Sequence, residues 1–378
     1  MKLTRYERRG LVGGRNLSDG HARHEFTPYS GVLAQLPELF LDSDRDNLRE
    51  VEERFEATFF HRAGQHSYQQ LPPPLYNFAC SLSIEVVANY LRAENMSVSL
   101  IHPTFDNLAD ILRRNGVPLL PLEQDWLTGQ QDLEPVLGTD AIFLVCPNNP
   151  TGQNLSRPQF ERIVDYCARH RKLLILDFSF RFFSDFTEWD QYELLRESGV
   201  DFIALEDTGK TLPTLDLKVG LTVANERIHE SLLRINEDLV LNVSPFTLKL
   251  LTACIEVDAA AGVEHARLAI AATRHQLRRL IEATPLRVYD QASLISVEWL
   301  QLPTGWVAAE LCEWLAGHQV HVLPGMPFYW ADHARGQAFI RVSLSRPLEV
   351  FIDSAHRLAE LVSNYPQAAI ATKTTVGV

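Results

Sequence analysis

Short apolar runs alternate with longer stretches of helical periodicity through the middle of the chain. Ala141 to Val145, Leu173 to Leu176 and Phe202 to Leu205 are unbroken apolar runs bounded by polar turns. They are too short for helices, so each reads as a strand buried on both faces. Leu75 to Cys80 reads the same way and leads into a helix from Ile84 to about Arg92. One helix is marked at its start: Ser156 caps it, Pro158 lies in the first turn and Gln159 completes a capping box. Phe160, Ile163, Val164 and Cys167 form its apolar stripe.

Alternation of this kind from about Leu75 to Asn225 predicts a mainly parallel sheet flanked by helices. Beyond it, a long helical segment runs from Gly262 to Ala283, followed by a strand at Leu294 to Val297. A helix from Val307 to Leu315 and a strand at Phe339 to Val342 complete a smaller α+β unit. The expected α/β organisation is an arm at 1–40, a large domain at 41–260 and a small C-terminal domain at 261–378. Residues after Tyr365 read as a loose tail.

Composition narrows the class. At 378 residues the chain is too long for one compact core, which agrees with two domains. Its 46% apolar and 22% charged residues are those of a soluble globular protein. No run approaches the ~20 apolar residues of a membrane span. The charged start, Met1 to Arg9, does not read as a signal peptide. Cys80, Cys146, Cys167, Cys254 and Cys312 are scattered without paired spacing, as expected of reduced cysteines in a cytoplasmic protein. A net charge of −13 argues against nucleic acid as a partner and is compatible with a cationic substrate.

Candidate chemistry stands at the strand ends. Lys210 closes the string Glu206-Asp207-Thr208-Gly209-Lys210 just after one strand, and Asp177 ends another. Asn148-Asn149-Pro150-Thr151-Gly152 follows a third. A lysine that forms a Schiff base and an aspartate that pairs with a protonated pyridine nitrogen are a protein's share of pyridoxal-phosphate chemistry. Order and spacing resemble the fold-type I pyridoxal-phosphate enzymes, the class I/II aminotransferase superfamily. The resemblance implies that fold, with pyridoxal 5'-phosphate held covalently on Lys210.

Ser81-Leu82-Ser83 offers small hydroxyls and backbone N–H groups at a helix start, which suits a phosphate. The resemblance further implies that Lys218 binds that phosphate, where the superfamily usually has arginine, and that Phe105 stacks on the pyridine. It assigns Asn149 to the phenolic oxygen, Asp177 to the ring nitrogen and Arg341 to the substrate α-carboxylate, a bidentate pairing. Two positions depart from the pattern. Phe180 replaces a tyrosine that donates to the phenolic oxygen. Asp207 replaces a phosphate-binding serine; a carboxylate there would repel phosphate and is expected to face a cation.

Asp19-Gly20 on the arm reads alone as a turn. His21 with His24 suggests metal ligation, but no further His or Cys stands in register and no metal site is expected. From about Thr4 to about Arg346, however, the chain resembles a small family of pyridoxal-phosphate- and dioxygen-dependent L-arginine oxidases. These are hydroxylases and desaturases that feed guanidino-containing natural products such as antibiotics. Ser18-Asp19-Gly20-His21-Ala22-Arg23, His102-Pro103-Thr104-Phe105-Asp106-Asn107, Asp177-Phe178-Ser179-Phe180-Arg181, Glu206 to Lys210 and Leu215-Asp216-Leu217-Lys218 carry the resemblance.

It implies that Glu7 and Asp207 hold the guanidinium, that His21 works near the reacting carbons, and that Thr4 and Asp19 support the arm. It also implies a homodimer, dioxygen as co-substrate, and 4-hydroxy-2-ketoarginine, 2-ketoarginine or a dehydroarginine as product, with hydrogen peroxide and ammonia. Hydroxylation and desaturation share their early chemistry, and both remain open. The alternative is an aminotransferase for arginine or a related amino acid, against which Phe180 and Asp207 count. A non-catalytic regulator of this fold would be expected to lack Lys210 or Asp177, and both are present.

Overall fold

A computed structural model describes residues 1–129, 138–262 and 264–366. Val263, inside the helical segment expected from Gly262, and residues 367–378 of the expected tail lie outside the described residues. The arm begins with a helix, α1 (Leu3–Val12), and a two-residue strand, β1 (Arg15–Asn16). Helices α2 (Ser30–Arg45), which runs across residue 40, and α3 (Leu48–Arg62) lead into the main sheet.

Its seven strands are β2 (Leu75–Asn77), β3 (Val98–His102), β4 (Leu119–Glu123), β5 (Ala141–Val145), β6 (Leu173–Asp177), β7 (Phe202–Asp207) and β8 (Gly220–Ala224). They lie in the order β2-β8-β7-β6-β5-β3-β4. All run parallel except β8, which is antiparallel to both of its neighbours. Strands β5, β6 and β7 are buried along their whole length, as unbroken apolar runs require when helices cover both faces.

The capping box at Ser156 forms, with Gln159 reaching back to the Ser156 N–H, and the helix spans Arg157–His170. Two boundaries differ from expectation. Strand β2 stops at Asn77, and helix α4 (Cys80–Ala93) starts at Cys80 rather than Ile84. Ala79 holds extended dihedrals as its cap, so small residues that continue a strand pattern open a helix instead. Further on, the run Leu294 to Ser296 precedes its strand rather than forming it.

Beyond the helices Pro245–Ala261 and His265–Ile281, a second sheet runs in the order Leu323–Pro324, Phe339–Ser343, Val297–Gln301, Arg287–Val288. It comprises β9 (Arg287–Val288), β10 (Val297–Gln301), β12 (Leu323–Pro324) and β13 (Phe339–Ser343), while β11 (Val320–His321) pairs with β1 of the arm. One apolar cluster surrounds the main sheet and includes Tyr29 and Val32 from before residue 40. Another joins His265–Ile281 to the second sheet and its helices and takes in Leu17 of the arm. We propose that these two clusters correspond to the large and small domains expected from the sequence. Among the described residues no helix is long and apolar enough to cross a membrane.

Candidate active site

In an open parallel sheet, loops at the carboxyl ends of the strands converge on one edge. Val145 of β5 pairs with Asp177 of β6, and Asp177 with Leu205 of β7. The loops that follow carry Asn149, Ser179, Phe180 and Lys210 to the same edge. Beneath them, Arg181 and Glu206 form a fully buried ion pair, Nη2 to Oε1 2.6 Å, with Tyr192 Oη donating to Glu206 Oε1 at 2.7 Å. Arg181 follows Phe180 and Glu206 precedes Asp207, so this pair ties together the two segments that carry the reactive side chains.

A cavity at this edge is lined by Thr4, Glu7, His21, Ser81, Phe105, Asn149, Asp177, Phe180, Asp207, Lys210, Lys218 and Arg341, among others. Of the residues expected in the site, Leu82, Ser83 and Asp19 do not line it. Because α4 starts at Cys80, the N–H groups of Leu82 and Ser83 already point at the Ala79 carbonyl, at 2.9 and 3.4 Å. The Ser83 hydroxyl is buried without a partner, and Leu82 faces a neighbouring groove. Ser81 alone of the three reaches the cavity, with its hydroxyl accepting from Asn107 Nδ2 at 3.2 Å.

Two glycines permit this packing by their lack of a side chain. A Cβ on Gly220 would stand 2.8 Å from the Cys80 nitrogen, and one on Gly209 2.6 Å from Lys218 Cδ.

Asp177 is buried at the cavity floor, and its Oδ1 accepts from the Ser179 N–H at 2.8 Å and hydroxyl at 2.5 Å. Burial, reinforced by Asp207, lifts its carboxyl to about 6 although the Ser179 bonds pull the other way. A buried acid of this kind favours a cationic partner. Asp207 Oδ1 accepts the Gly209 N–H at 2.6 Å.

Arg341 is buried across the cavity, donating from Nη1 to Asn149 Oδ1 at 3.2 Å and from Nη2 to the Ser18 carbonyl at 2.6 Å and Glu7 Oε1 at 3.2 Å. Its Nε is buried without a partner. The bond from Arg341 occupies Asn149 Oδ1 and leaves the Nδ2 hydrogens as the donors on that amide.

Several segments anchor the arm over this cavity. The Leu3 N–H donates to Asp106 Oδ2 at 2.9 Å, and Lys2 pairs with Asp110 at 2.8 Å. Further along, the Ala22 N–H meets the Gly209 carbonyl at 2.9 Å and Arg346 Nε holds the Asn16 carbonyl at 2.7 Å. Asp106 is lifted to about 6, chiefly by burial, with Asp110 and Glu7 adding to it and the Leu3 N–H opposing.

Asp19 sits behind His21. Its Oδ1 contacts His21 Nδ1 at 2.7 Å, and its Oδ2 takes Arg23 Nε at 2.7 Å. Burial works to raise the Asp19 carboxyl, but the bonds from His21 and Arg23 outweigh it and hold it well below the usual carboxylate range. His21 Nε2 lies 2.8 Å from Lys218 Nζ. A lysine ammonium only donates, so Nε2 accepts and the ring proton sits on Nδ1, facing Asp19. His24 lies apart, buried with neither nitrogen bonded, and burial pushes it down to about 4. Among the described residues no group of three or more His, Cys, Asp or Glu side chains is placed to hold a metal ion.

Sequence reasoning gave no role to Ser179, Ser18, Arg23 or Asp216. Asp216 bonds Arg23 at 2.8 Å and lies 3.6 Å from both His21 Nδ1 and Lys218 Nζ. Both Leu215 and Asp216 hold positive φ, 53° and 70°, without being glycine. The serine two residues after Asp177 at a strand end was the readable signal for one of these contacts.

Residues 80–352 match the family model "Aminotransferase class I and II", and the chain belongs to that family of pyridoxal-phosphate enzymes. A structure of MppP soaked with the product 2-ketoarginine is 35% identical, covering 91% of this chain and 99% of that one with a TM-score of 0.87. Capreomycidine synthase of Streptomyces vinaceus is 27% identical over 272 residues, 65% of each chain. Histidinol-phosphate aminotransferase of Pyrococcus furiosus is 25% identical over 189 residues, and the match spans about half of that relative, 51%. Aspartate aminotransferase from Thermus thermophilus with maleate shares the fold at 15% identity and a TM-score of 0.76.

The residues present fit pyridoxal phosphate. Asp177 offers a buried carboxylate for the ring nitrogen, Asn149 free donors for the phenolic oxygen, and Lys210 an amine, all on one cavity. Ser81 offers a hydroxyl for the phosphate, and with the Leu82 and Ser83 N–H groups taken by Ala79, those of Cys80 and Ser81 are left at the start of α4.

Proposed function

We propose that this enzyme oxidises L-arginine with dioxygen. The observation that carries the reading is the meeting, on one cavity, of Lys210 and Asp177 with Asp207, Arg341 and the arm residues Thr4, Glu7 and His21. Arg341 receives the α-carboxylate as a planar fork, and its unpartnered Nε adds a donor. Asp207 and Glu7 supply the acidic partners that an always-charged guanidinium needs. The 35% identity to MppP, whose crystals were soaked with the product 2-ketoarginine, supports an arginine-derived ligand.

When bound, pyridoxal phosphate supplies an aldehyde that joins an amine covalently and a ring that draws electrons from the substrate carbon. Lys210 holds the cofactor and then takes the proton from Cα. Asp177 would keep the ring nitrogen charged, and Asn149 would donate to the phenolic oxygen, to which Phe180 has no donor to add. His21 lines the cavity, oriented by Asp19, and serves as base or water-holding group for the later side-chain steps once Lys218 turns from its Nε2 to the phosphate. For the simplest outcome arginine, dioxygen and water give 2-ketoarginine, ammonia and hydrogen peroxide. A second oxidation with addition of water at Cγ gives the 4-hydroxy product, and release before addition gives the dehydro product.

The active form proposed is a homodimer in the cytoplasm; an active monomer in sedimentation at assay concentration would contradict the dimer. Product analysis tests the function: arginine in air with isotope-labelled water should yield a keto acid whose γ-hydroxyl, if formed, carries the label. Recovery of unreacted arginine would refute it. An aminotransferase of the same fold is the second reading, favoured by the histidinol-phosphate aminotransferase similarity.

A further inference from the structure

We infer that Glu7 sets substrate specificity by exchange of ion-pair partners with Arg341. The inference rests on the reading of Arg341 as the carboxylate site. Arg341 Nη2 already holds Glu7 Oε1 at 3.2 Å, and the guanidinium is nearly fully buried while Glu7 is 16% exposed at its side chain. The other hydrogen bonds of Arg341 go to neutral oxygens, Asn149 Oδ1 and the Ser18 carbonyl, and the rings of Phe105 and Phe328 lie 5.6 and 5.5 Å from its Cζ. Glu7 is thus the carboxylate in direct contact with this buried cation.

A carboxylate arriving at Arg341 competes with Glu7 for Nη2. Displacing Glu7 without replacing its partner leaves a partly buried charge unpaired, which is costly. A molecule that brings a cation at its far end removes that cost, because Glu7 transfers to the new cation as the new carboxylate takes Arg341. Two ion pairs replace one, and no carboxylate is orphaned.

Molecules with a carboxylate and a neutral side chain pay for displacement and receive nothing back. Glu7 therefore does more than hold a guanidinium: it excludes neutral amino acids, an element of repulsion built into the site. Position supports the exchange, since α1 is tied at its start to Asp106 and Asp110 and near its end to Glu313 through Arg9 at 2.7 Å, so that the Glu7 side chain can change partners while the helix stays in place.

The test uses holoenzyme and two probes that cannot enter the reaction, the desamino analogues of arginine and citrulline. They match in shape, and only the first carries a cation. Calorimetric binding is measured for wild type, Glu7→Gln and Glu7→Asp, with cofactor absorbance and thermal unfolding as checks of folding. In Glu7→Gln the citrulline analogue should bind about fivefold tighter or better, and the arginine analogue weaker by a similar factor. Glu7→Asp, which keeps the charge on a shorter reach, should move the citrulline analogue in the same direction by less.

Weaker binding of both probes would make Glu7 a docking residue of α1 and overturn the exchange. Loss for the arginine analogue with no gain for the citrulline analogue would overturn it too, leaving only a cation contact. Should wild type show no preference for the arginine analogue, the arginine reading fails, yet a gain for the neutral analogue in Glu7→Gln would still support the displacement of Glu7 from Arg341.

Discussion

Replacing Asp207 by asparagine removes a charge while keeping size and one acceptor. Asp207 is 5% exposed, so water does little to screen it. Its Oδ1 accepts the Gly209 N–H at 2.6 Å, and asparagine must keep its carbonyl oxygen there. The amide NH2 then turns toward the cavity, presenting donors where a guanidinium also presents donors. Losing one partner of a desolvated charge pair costs about 2–5 kcal/mol; with Glu7 left as a second acid, the lower end applies, about 30-fold in arginine affinity.

Citrulline should respond differently, because its ureido carbonyl can accept from the new NH2. Equilibrium titrations of the two amino acids under nitrogen, followed by cofactor absorbance, measure both. Arginine should weaken about 30-fold while citrulline holds or improves and pyridoxal-phosphate affinity stays unchanged. Equal losses for arginine and citrulline, or a fall in cofactor affinity, would refute a guanidinium role for Asp207.

Lys210→Ala should abolish both the visible absorbance of the bound cofactor and all turnover; retained absorbance would mean that another lysine carries the cofactor. His21→Ala should leave oxygen uptake measurable while shifting products away from γ-hydroxylation toward 2-ketoarginine, and an unchanged product ratio by mass spectrometry would confine His21 to packing of the arm. Asp106→Asn tests the anchoring of α1. The Asp106 carboxyl rises from 3.8 to about 6 in the fold, so the stability it contributes is present in full below pH 3.8 and lost as pH rises through about 6. Asparagine mimics the protonated acid and still accepts the Leu3 N–H. The variant should therefore match wild type near pH ~4 and exceed it near pH ~8 by at most about 3 kcal/mol in urea unfolding; a difference independent of pH would refute the assignment.

Much of the main sheet was legible because β5, β6 and β7 are unbroken apolar runs, a pattern that only full burial on both faces produces. The same runs located Asn149, Asp177 and Lys210, since the chemistry of this sheet type collects at strand ends. The start of α4 was misread because Cys80 and Ser81 suit a strand end as well as a first helical turn, and the dihedrals of Ala79 decide between them. What stayed hidden depends on segments far apart in the chain. Parallel pairing of β1 with β11 leaves no local mark. The cluster of Asp19, His21, Arg23, Asp216 and Lys218 draws on an arm and a strained loop nearly two hundred residues apart. The contact of Glu7 with Arg341 is of the same kind: each residue was readable as a site candidate, and their pairing was not.

Oxygen uptake by the holoenzyme with L-arginine, in air and without any keto acid, separates an oxidase from an aminotransferase. Sustained consumption over many turnovers is expected, with hydrogen peroxide and ammonia accumulating. A reaction that stalls after a single half-turnover, consumes no oxygen and resumes when a keto acid is added would contradict it and make the protein an aminotransferase.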